Sequence, residues 1–277
     1  MTNPKSEIYE ALSRTRIRVN DQIFENEIHI SVRQTILDQS GQNSIVGIEV
    51  LSFAQTAQDA FSVLLEDLNA LNQHLIFERD AEGNILQITN FQDLPNRWTK
   101  LKGDLREKYG QSDEMESFFK AFDQNLGDEA LLLHSMKHKG IYGVLFSGMN
   151  LTQNANNQRF RIMNQFIENV DLPLVMQAEV SAVLDNFESY QCVNCSGILD
   201  EERFEEDAFK QALQNMTQQY YVEMPAIEVH CGEMYAFRQA DGCLSKAQQY
   251  LHVAASHEYE YEIGWLLMLT DGKQEVA

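Results

Sequence analysis

Apolar and polar side chains alternate along three stretches of the chain, which is the period of a β-strand with one face in water. The stretches cover residues 24–36, 174–184 and 257–267. Antiparallel sheets commonly bury one face and leave the other solvated. The pattern therefore predicts long antiparallel strands in both halves of the chain.

A basic and an acidic segment flank a predicted turn at residues 21–22. This turn would place Arg18 opposite Glu25 and Arg16 opposite Glu27 in a hairpin. Opposite charges that face each other across two strands stabilise a sheet. We interpret the arginines as ion pairs on a solvated face, with an anion site as the alternative.

Helical spacing of apolar residues predicts one helix that follows the cap Thr56. Three more helices are predicted in series: Leu94–Tyr109, a second after Ser112, and a third from Asp128 to near Gly140. A fifth is predicted from Asp200, where acidic residues suit the amino-terminal end of the helix dipole.

The two halves of the chain share an order of elements: paired strands, one amphipathic helix, and then a hairpin. A segment rich in Asn and Gln at residues 149–158 separates them and predicts a linker. We therefore predict an α+β fold with two antiparallel β-sheet lobes, 1–148 and 159–277. Each lobe packs on an amphipathic helix, with a helical subdomain near 94–140 in the first. An internal pseudo-repeat is a further hypothesis, since the glycine-containing turns of residues 77–85 and 237–244 are similar.

Composition narrows the class of protein. The 277 residues include 21 Lys+Arg and 42 Asp+Glu, so the formal net charge is −21, and 44% are hydrophobic. These values are typical of a globular protein and exclude a disordered or fibrous chain. A strongly acidic chain repels phosphate backbones, which argues against a nucleic-acid partner. No apolar run of about 18 residues occurs, which predicts no membrane insertion. The start of the sequence does not resemble a signal peptide, so we expect a cytoplasmic location.

Cysteines supply the best candidate metal site. Cys192 and Cys195 have the spacing of a zinc-binding pair, and His230 and Cys231 follow. The prediction is weakened because residues 192 and 195 would point to opposite faces of a regular strand. A disulfide or redox pair and ordinary buried thiols remain the alternatives, so zinc is the one cofactor considered.

Two charged surfaces are candidates for binding a protein partner. The first is the locally basic helix, and the second is an acidic strand face with carboxylates about 7 Å apart. The candidate residues are Arg97, Trp98, Lys100, Lys102, Glu258, Glu260 and Glu262. Solvated faces are the simpler interpretation of both.

Standard catalytic motifs do not occur in the sequence. We therefore predict a non-catalytic binding protein that engages a cationic protein partner or assembles with its own copies, for example as an immunity-type neutraliser. One alternative is an enzyme of unrecognised type whose site is assembled from distant loops. Its titratable groups would be His230 with Glu228, or the pair His134 and His138.

A second alternative is a carrier of an apolar ligand. Broad antiparallel sheets around a helix resemble the lipoprotein-carrier and lipocalin-like architectures, although no motif is shared. The resemblance implies a ligand held between curved sheet and helix. Residues such as Phe61, Leu65 and Trp265 would line that cavity.

Overall fold

A computed structural model describes the protein at residues 5–41, 43–81, 83–110, 112–138, 140–148, 158–168, 170–185, 188–221, 223 and 225–270. Long antiparallel strands and several helices make up these residues, which confirms the α+β class. No helix in this part of the chain is long and apolar enough to cross a membrane.

Among the described residues, eleven strands follow one another in a single hydrogen-bonded order, β5-β4-β3-β2-β1-β11-β10-β9-β8-β7-β6. This order corrects the expectation of two separate sheets. The pseudo-repeat stays a prediction. The strands are β1 (Ser6–Val19), β2 (Gln22–Ser40), β3 (Asn43–Gln55), β4 (His74–Arg79), β5 (Ile85–Ile88), β6 (Gln158–Ile167), β7 (Val170–Asp185), β8 (Glu188–Leu199), β9 (Ile227–Arg238), β10 (Leu244–Ala255) and β11 (Tyr259–Thr270).

In the described part of the chain, six α-helices accompany the strands, and five of them come between β3 and β6. They are α1 (Ala60–Leu68), α2 (Leu94–Tyr109), α3 (Asp113–Leu126), α4 (Glu129–His138), α5 (Gly140–Leu145) and α6 (Glu206–Thr217). Short 3-10 helices occur at Asn69–Asn72 and Phe91–Asp93. The predicted linker at 149–158 lies outside the described residues, apart from residue 158.

The chain divides into two compact units. The first unit comprises Met1–Glu10, His29–Gly148 and Thr270–Ala277, and the second comprises Ala11–Ile28 and Met149–Leu269. Helices α1–α5 belong to the first unit, and α6 belongs to the second. The hairpin tip formed by β1 and β2 therefore groups with strands from much later in the sequence.

In the first unit, the core forms where helix α5 meets strand β4. Phe77 is fully buried, and its ring centroid lies 5.4 Å from that of Tyr142 and 5.2 Å from that of Phe146. The Tyr142 hydroxyl donates a hydrogen bond to the backbone carbonyl of Asn72. Complete burial raises the pKa of Tyr142 well above its ordinary value, because the phenolate would lose its hydration.

Helix α1 begins at Ala60, three residues later than the cap Thr56 would place it. Asp59 caps it instead, because its carboxylate accepts hydrogen bonds from the Ser62 backbone N–H at 3.1 Å and the Ser62 hydroxyl at 2.6 Å. A carboxylate at this position satisfies an amide that has no partner within the helix.

We expect Asp59→Ala to lower the free energy of unfolding of the first unit by about 1 kcal/mol, the usual value of an N-cap. Urea denaturation followed by Trp98 fluorescence in a Trp265→Phe background measures this change. Asp93→Ala is the matched control, because Asp93 precedes α2 without a side-chain capping bond. Equal losses in the two variants would contradict the role of Asp59.

In the second unit, α6 packs on one end of the sheet. Phe209, Ala212 and Leu213 are buried on it, against a cluster from β6, β7, β10 and β11. The helix begins at Glu206 and not at Asp200, which corrects the prediction. The Asp200 carbonyl accepts from the amides of Arg203 and Phe204 in a single turn that does not continue into the helix.

The hairpin between β1 and β2 also differs from the prediction, by two residues in register. Arg14 contacts Glu27 at 2.6 Å, and Arg16 contacts Glu25 at 3.2 Å. The turn is centred one residue earlier than predicted, because Asn20 adopts a left-handed conformation with φ of 53°. Asparagine tolerates this conformation better than most residues.

Candidate functional site

Strands β6–β11 in the second unit have two faces that differ in chemistry. Residues directly opposite each other on antiparallel strands share a face. We call inner the face that also carries α6, and outer the opposite face. The inner face is defined by Arg161, Leu174, Met176, Ala178, Val193, Cys195, Gly197, Leu199, Cys231, Glu233, Tyr235, Ala247, Gln249, Leu251, Ile263, Trp265 and Leu267.

Four polar side chains meet on the otherwise apolar inner face. The guanidinium of Arg161 forms an ion pair with the Oε1 of Glu233, and the Tyr235 hydroxyl donates to the Oε2 of Glu233 at 2.9 Å. The amide of Gln249 donates in turn to the Tyr235 oxygen at 2.8 Å. The Glu233 side chain is 5% exposed and that of Arg161 is 18% exposed. We call these four residues the inner-face network.

Contact between Arg161 and Glu233 requires a strongly curved sheet. Arg161 pairs in register with Leu174 and, through it, with Leu199 on β8, whereas Glu233 pairs with Cys195 on β8. The two residues thus lie three strands and four residues apart. In a flat sheet, spacings of about 4.8 Å between strands and 3.3 Å along them would separate their backbones by about 19 Å. Their side chains meet because the second unit's sheet coils toward its inner face.

A glycine lies between the two members of the ion pair. A Cβ atom on Gly197 would come within 2.4 Å of the Met176 sulfur and 3.1 Å of the Cys231 Cβ. The Met176 side chain therefore occupies the space that any other residue at position 197 would need.

Burial raises the pKa of the Cys231 thiol, although the positive charge of Arg161 acts in the opposite direction.

The predicted zinc ligands are divided between the two faces. Cys195 and Cys231 lie on the inner face, whereas Cys192 and His230 lie on the outer face. All four cysteines, including Cys243, are free thiols. Among the described residues, no three or more His, Cys, Asp or Glu side chains are placed to hold a metal ion.

A charged cluster around Glu260 occupies the outer face. The Glu260 carboxylate accepts hydrogen bonds from Arg16 and Arg18, each at 3.1 Å, and lies 3.2 Å from His252. The rings of His252 and His230 stack with their centroids 5.9 Å apart. Hydrogen bonds from His252 and Arg18 lower the pKa of Glu260 below its ordinary value. Glu260, predicted as a partner-binding residue, thus already binds three side chains of its own chain.

This depressed pKa predicts how stability depends on pH. The cluster stabilises the fold above the ordinary glutamate pKa of 4.5, and the stabilisation is lost as the pH falls through the lowered value. We expect Glu260→Gln to cost about 1 kcal/mol at neutral pH and nothing at acid pH. Denaturation at the two pH values measures this difference. Glu262→Gln, on the same strand face, is the control, and a cost independent of pH would contradict the prediction.

The basic residues predicted to dock a partner lie on α2, in the first unit, and most contact neighbouring groups. Trp98 is 3% exposed and donates its indole N–H to Asp123, which also receives Lys102 at 2.6 Å. Arg97 donates to the His74 carbonyl, and Lys100 is exposed. The hydrogen bonds from Lys102 and Trp98 lower the pKa of Asp123. Lys100 is therefore the member of this set most open to solvent.

The residues named for the enzyme hypothesis and for the apolar-ligand carrier hypothesis lie on several different elements. His134 is exposed on α4, and the side chain of His138 lies outside the description. Leu65 is 42% exposed in the first unit, whereas Trp265 is half-buried in the second, and the side chain of Phe61 is not described. Glu228 and His230 share the outer face. The backbone N–H of Glu258 donates a hydrogen bond to the Ser256 hydroxyl oxygen at 3.2 Å.

No protein-family model and no curated protein matches the chain. Among solved structures, it is similar to a lipovitellin chain from a structure of lipid–protein interactions, with 8% identity and a TM-score of 0.41 over 96% of this chain. The match covers 25% of that chain, so this protein spans a quarter of its length. A DUF1329 family protein from Desulfovibrio piger has 8% identity and a TM-score of 0.21, with 97% of this chain and 88% of that chain covered. Both scores are too low to establish a shared fold.

Proposed function

We propose that the second unit binds a small, mainly apolar molecule against its curved inner face. The observation that carries this proposal is the inner-face network, in which an ion pair and two hydrogen bonds join two buried and two half-buried polar side chains among apolar residues. Ligand sites in proteins are typically concave and apolar, with a few convergent polar groups that fix the orientation of the ligand. The inner face has this composition.

The energetics of a buried ion pair support the proposal. Removing two charges from water costs several kcal/mol per ion, and well-packed apolar residues often stabilise a core as well or better. The Arg161–Glu233 pair therefore gives little net stability in return for its burial. A role in recognition explains why charged groups lie where apolar residues would serve the core.

Trp265 provides a direct reporter of binding. It lies on the inner face opposite Gln249, and the chain has two tryptophans, so Trp98→Phe leaves Trp265 as the single one. Titration with dodecanol or dodecanoic acid should shift the emission of Trp265 saturably. The same ligands should be retained by the native protein in mass spectrometry.

A pair of neighbouring variants tests the location. Leu199→Trp adds a large side chain to the inner face beside Leu174, whereas Ile198→Trp adds it to the outer face, where Ile198 is 66% exposed. Calorimetry should show binding weakened about tenfold or more in the first variant and unchanged in the second. Equal affinities, or the absence of saturable binding to the parent protein, would overturn the proposal.

A cationic protein partner is the second candidate, and self-assembly of the chain stays a prediction. The cationic partner is supported by the net charge of −21, which favours association with a positive surface through electrostatic steering. Such a complex should weaken steeply as salt is added, because the charges involved are exposed.

A further inference from the structure

We infer that Arg161 binds an acidic headgroup, and that the ligand of the inner face is an amphiphile that ends in a carboxylate. This inference rests on the proposed function and specifies the class of ligand. Three observations on Arg161 and Glu233 support it. The two side chains differ in how many of their donors or acceptors are occupied, they differ in exposure, and the hydrogen bonds of the inner-face network run toward Glu233.

The Arg161 guanidinium carries more N–H donors than its contacts with the described part of the chain use. An arginine carries five N–H groups in a planar fork. Among the described residues, the acceptor recorded for Arg161 is Glu233, which contacts its Nη1. Arg161 is also the more exposed of the pair, at 18% against 5%. A carboxylate can therefore reach the remaining donors, whose spacing suits its two oxygens.

The other three residues of the network act as positioning residues. Gln249 donates to Tyr235, and Tyr235 donates to one oxygen of Glu233, so that the other oxygen faces Arg161. These two hydrogen bonds are both donated in the direction of Glu233. The arrangement fixes the position of the Glu233 carboxylate, and this carboxylate in turn orients the Arg161 guanidinium.

The same arrangement disfavours a cationic headgroup. Such a group would have to bind Glu233, but its Oε1 already contacts Arg161 and its Oε2 already accepts from Tyr235. A cation would also approach the like charge of Arg161. A neutral headgroup would meet neither obstacle, but it would forgo the stronger hydrogen bonds that an ionised acceptor makes.

The test compares two ligands that differ in the headgroup alone. Dodecanoate and dodecanol are titrated into the full chain, and into Arg161→Gln and Arg203→Gln. Arg203→Gln is the matched control, because it removes the charge of another arginine of the same unit. The Arg203 side chain is half-exposed, and its guanidinium lies 3.9 Å from the ring centroid of Phe160. A third variant, Arg161→Gln with Glu233→Gln, removes both buried charges and keeps a folded sample should the single change not fold.

We expect the parent protein and Arg203→Gln to bind dodecanoate about tenfold to a hundredfold more tightly than dodecanol, the range expected for a charge-assisted hydrogen bond. Removal of Arg161, alone or with Glu233, should abolish this preference, so that the acid and the alcohol bind with similar affinity. Equal binding of acid and alcohol by the parent protein would overturn the inference but leave the proposed function intact. Binding of neither ligand would overturn both.

Discussion

Replacing Glu233 with alanine is expected to lower the free energy of unfolding of the second unit by about 3–5 kcal/mol, the usual cost of breaking a buried ion pair from one side. The change leaves the Arg161 guanidinium in a largely apolar site without its counterion. It also leaves the Tyr235 hydroxyl, in a fully buried residue, without the acceptor at 2.9 Å. Urea denaturation followed by Trp265 fluorescence in the Trp98→Phe background measures the loss.

Two further variants separate this effect from the loss of any glutamate. Glu179→Ala removes an exposed carboxylate of strand β7, in the same sheet, and should change stability by less than about 0.5 kcal/mol. The double change Arg161→Met with Glu233→Met should destabilise less than Glu233→Ala, because no buried charge is left alone. If the losses of Arg161→Met and Glu233→Met, each measured singly, simply add in the double variant, the side chains do not form the ion pair.

Phe209→Ala is expected to cost a similar amount, about 3–5 kcal/mol, through the cavity that it leaves. The ring of Phe209 is fully buried and lies 5.2 Å, between centroids, from the ring of Phe204. It is part of the cluster that holds α6 on the inner face. Loss of this contact should detach the helix from the sheet. Limited proteolysis near residues 200–221 should then be faster, and the urea midpoint should be lower.

Tyr220→Ala is the control for Phe209→Ala. It removes an aromatic ring just after the same helix, at a position that is 81% exposed. Because little apolar surface leaves water when Tyr220 folds, its truncation should cost less than about 0.5 kcal/mol. A comparable loss in both variants would mean that α6 contributes little to the core.

Local patterns predicted the secondary structure well. Helix α2 occupies Leu94–Tyr109 as its apolar spacing indicates, and the caps Ser112 and Asp128 each accept a hydrogen bond from a backbone N–H in the first turn. The errors occurred where competing local bonds decide the boundary. Asp59 displaced Thr56 as the cap of α1, and the turn at Asp200 delayed α6.

The inner-face network was not predicted, and its chemistry explains why. Glu233 and Gln249 are polar residues at inward positions of otherwise alternating strands, which is the one signal that the sequence offers. Their partner Arg161 is separated from Glu233 by two intervening strands. Strand alternation determines which face a residue occupies, but the coiling that brings distant strands together depends on the packing of the whole unit.

The pairing of β1 with β11 has a consequence for the order in which the chain folds during synthesis. Arg16 on β1 and Glu260 on β11 are 244 residues apart in the sequence. One edge of β1 therefore stays unpaired while the intervening residues are synthesised. An open edge invites pairing with the wrong chain. A charged side chain along such an edge opposes pairing with other copies, and we expect Arg18, whose carboxylate partner Glu260 lies on β11, to do this until β11 is made.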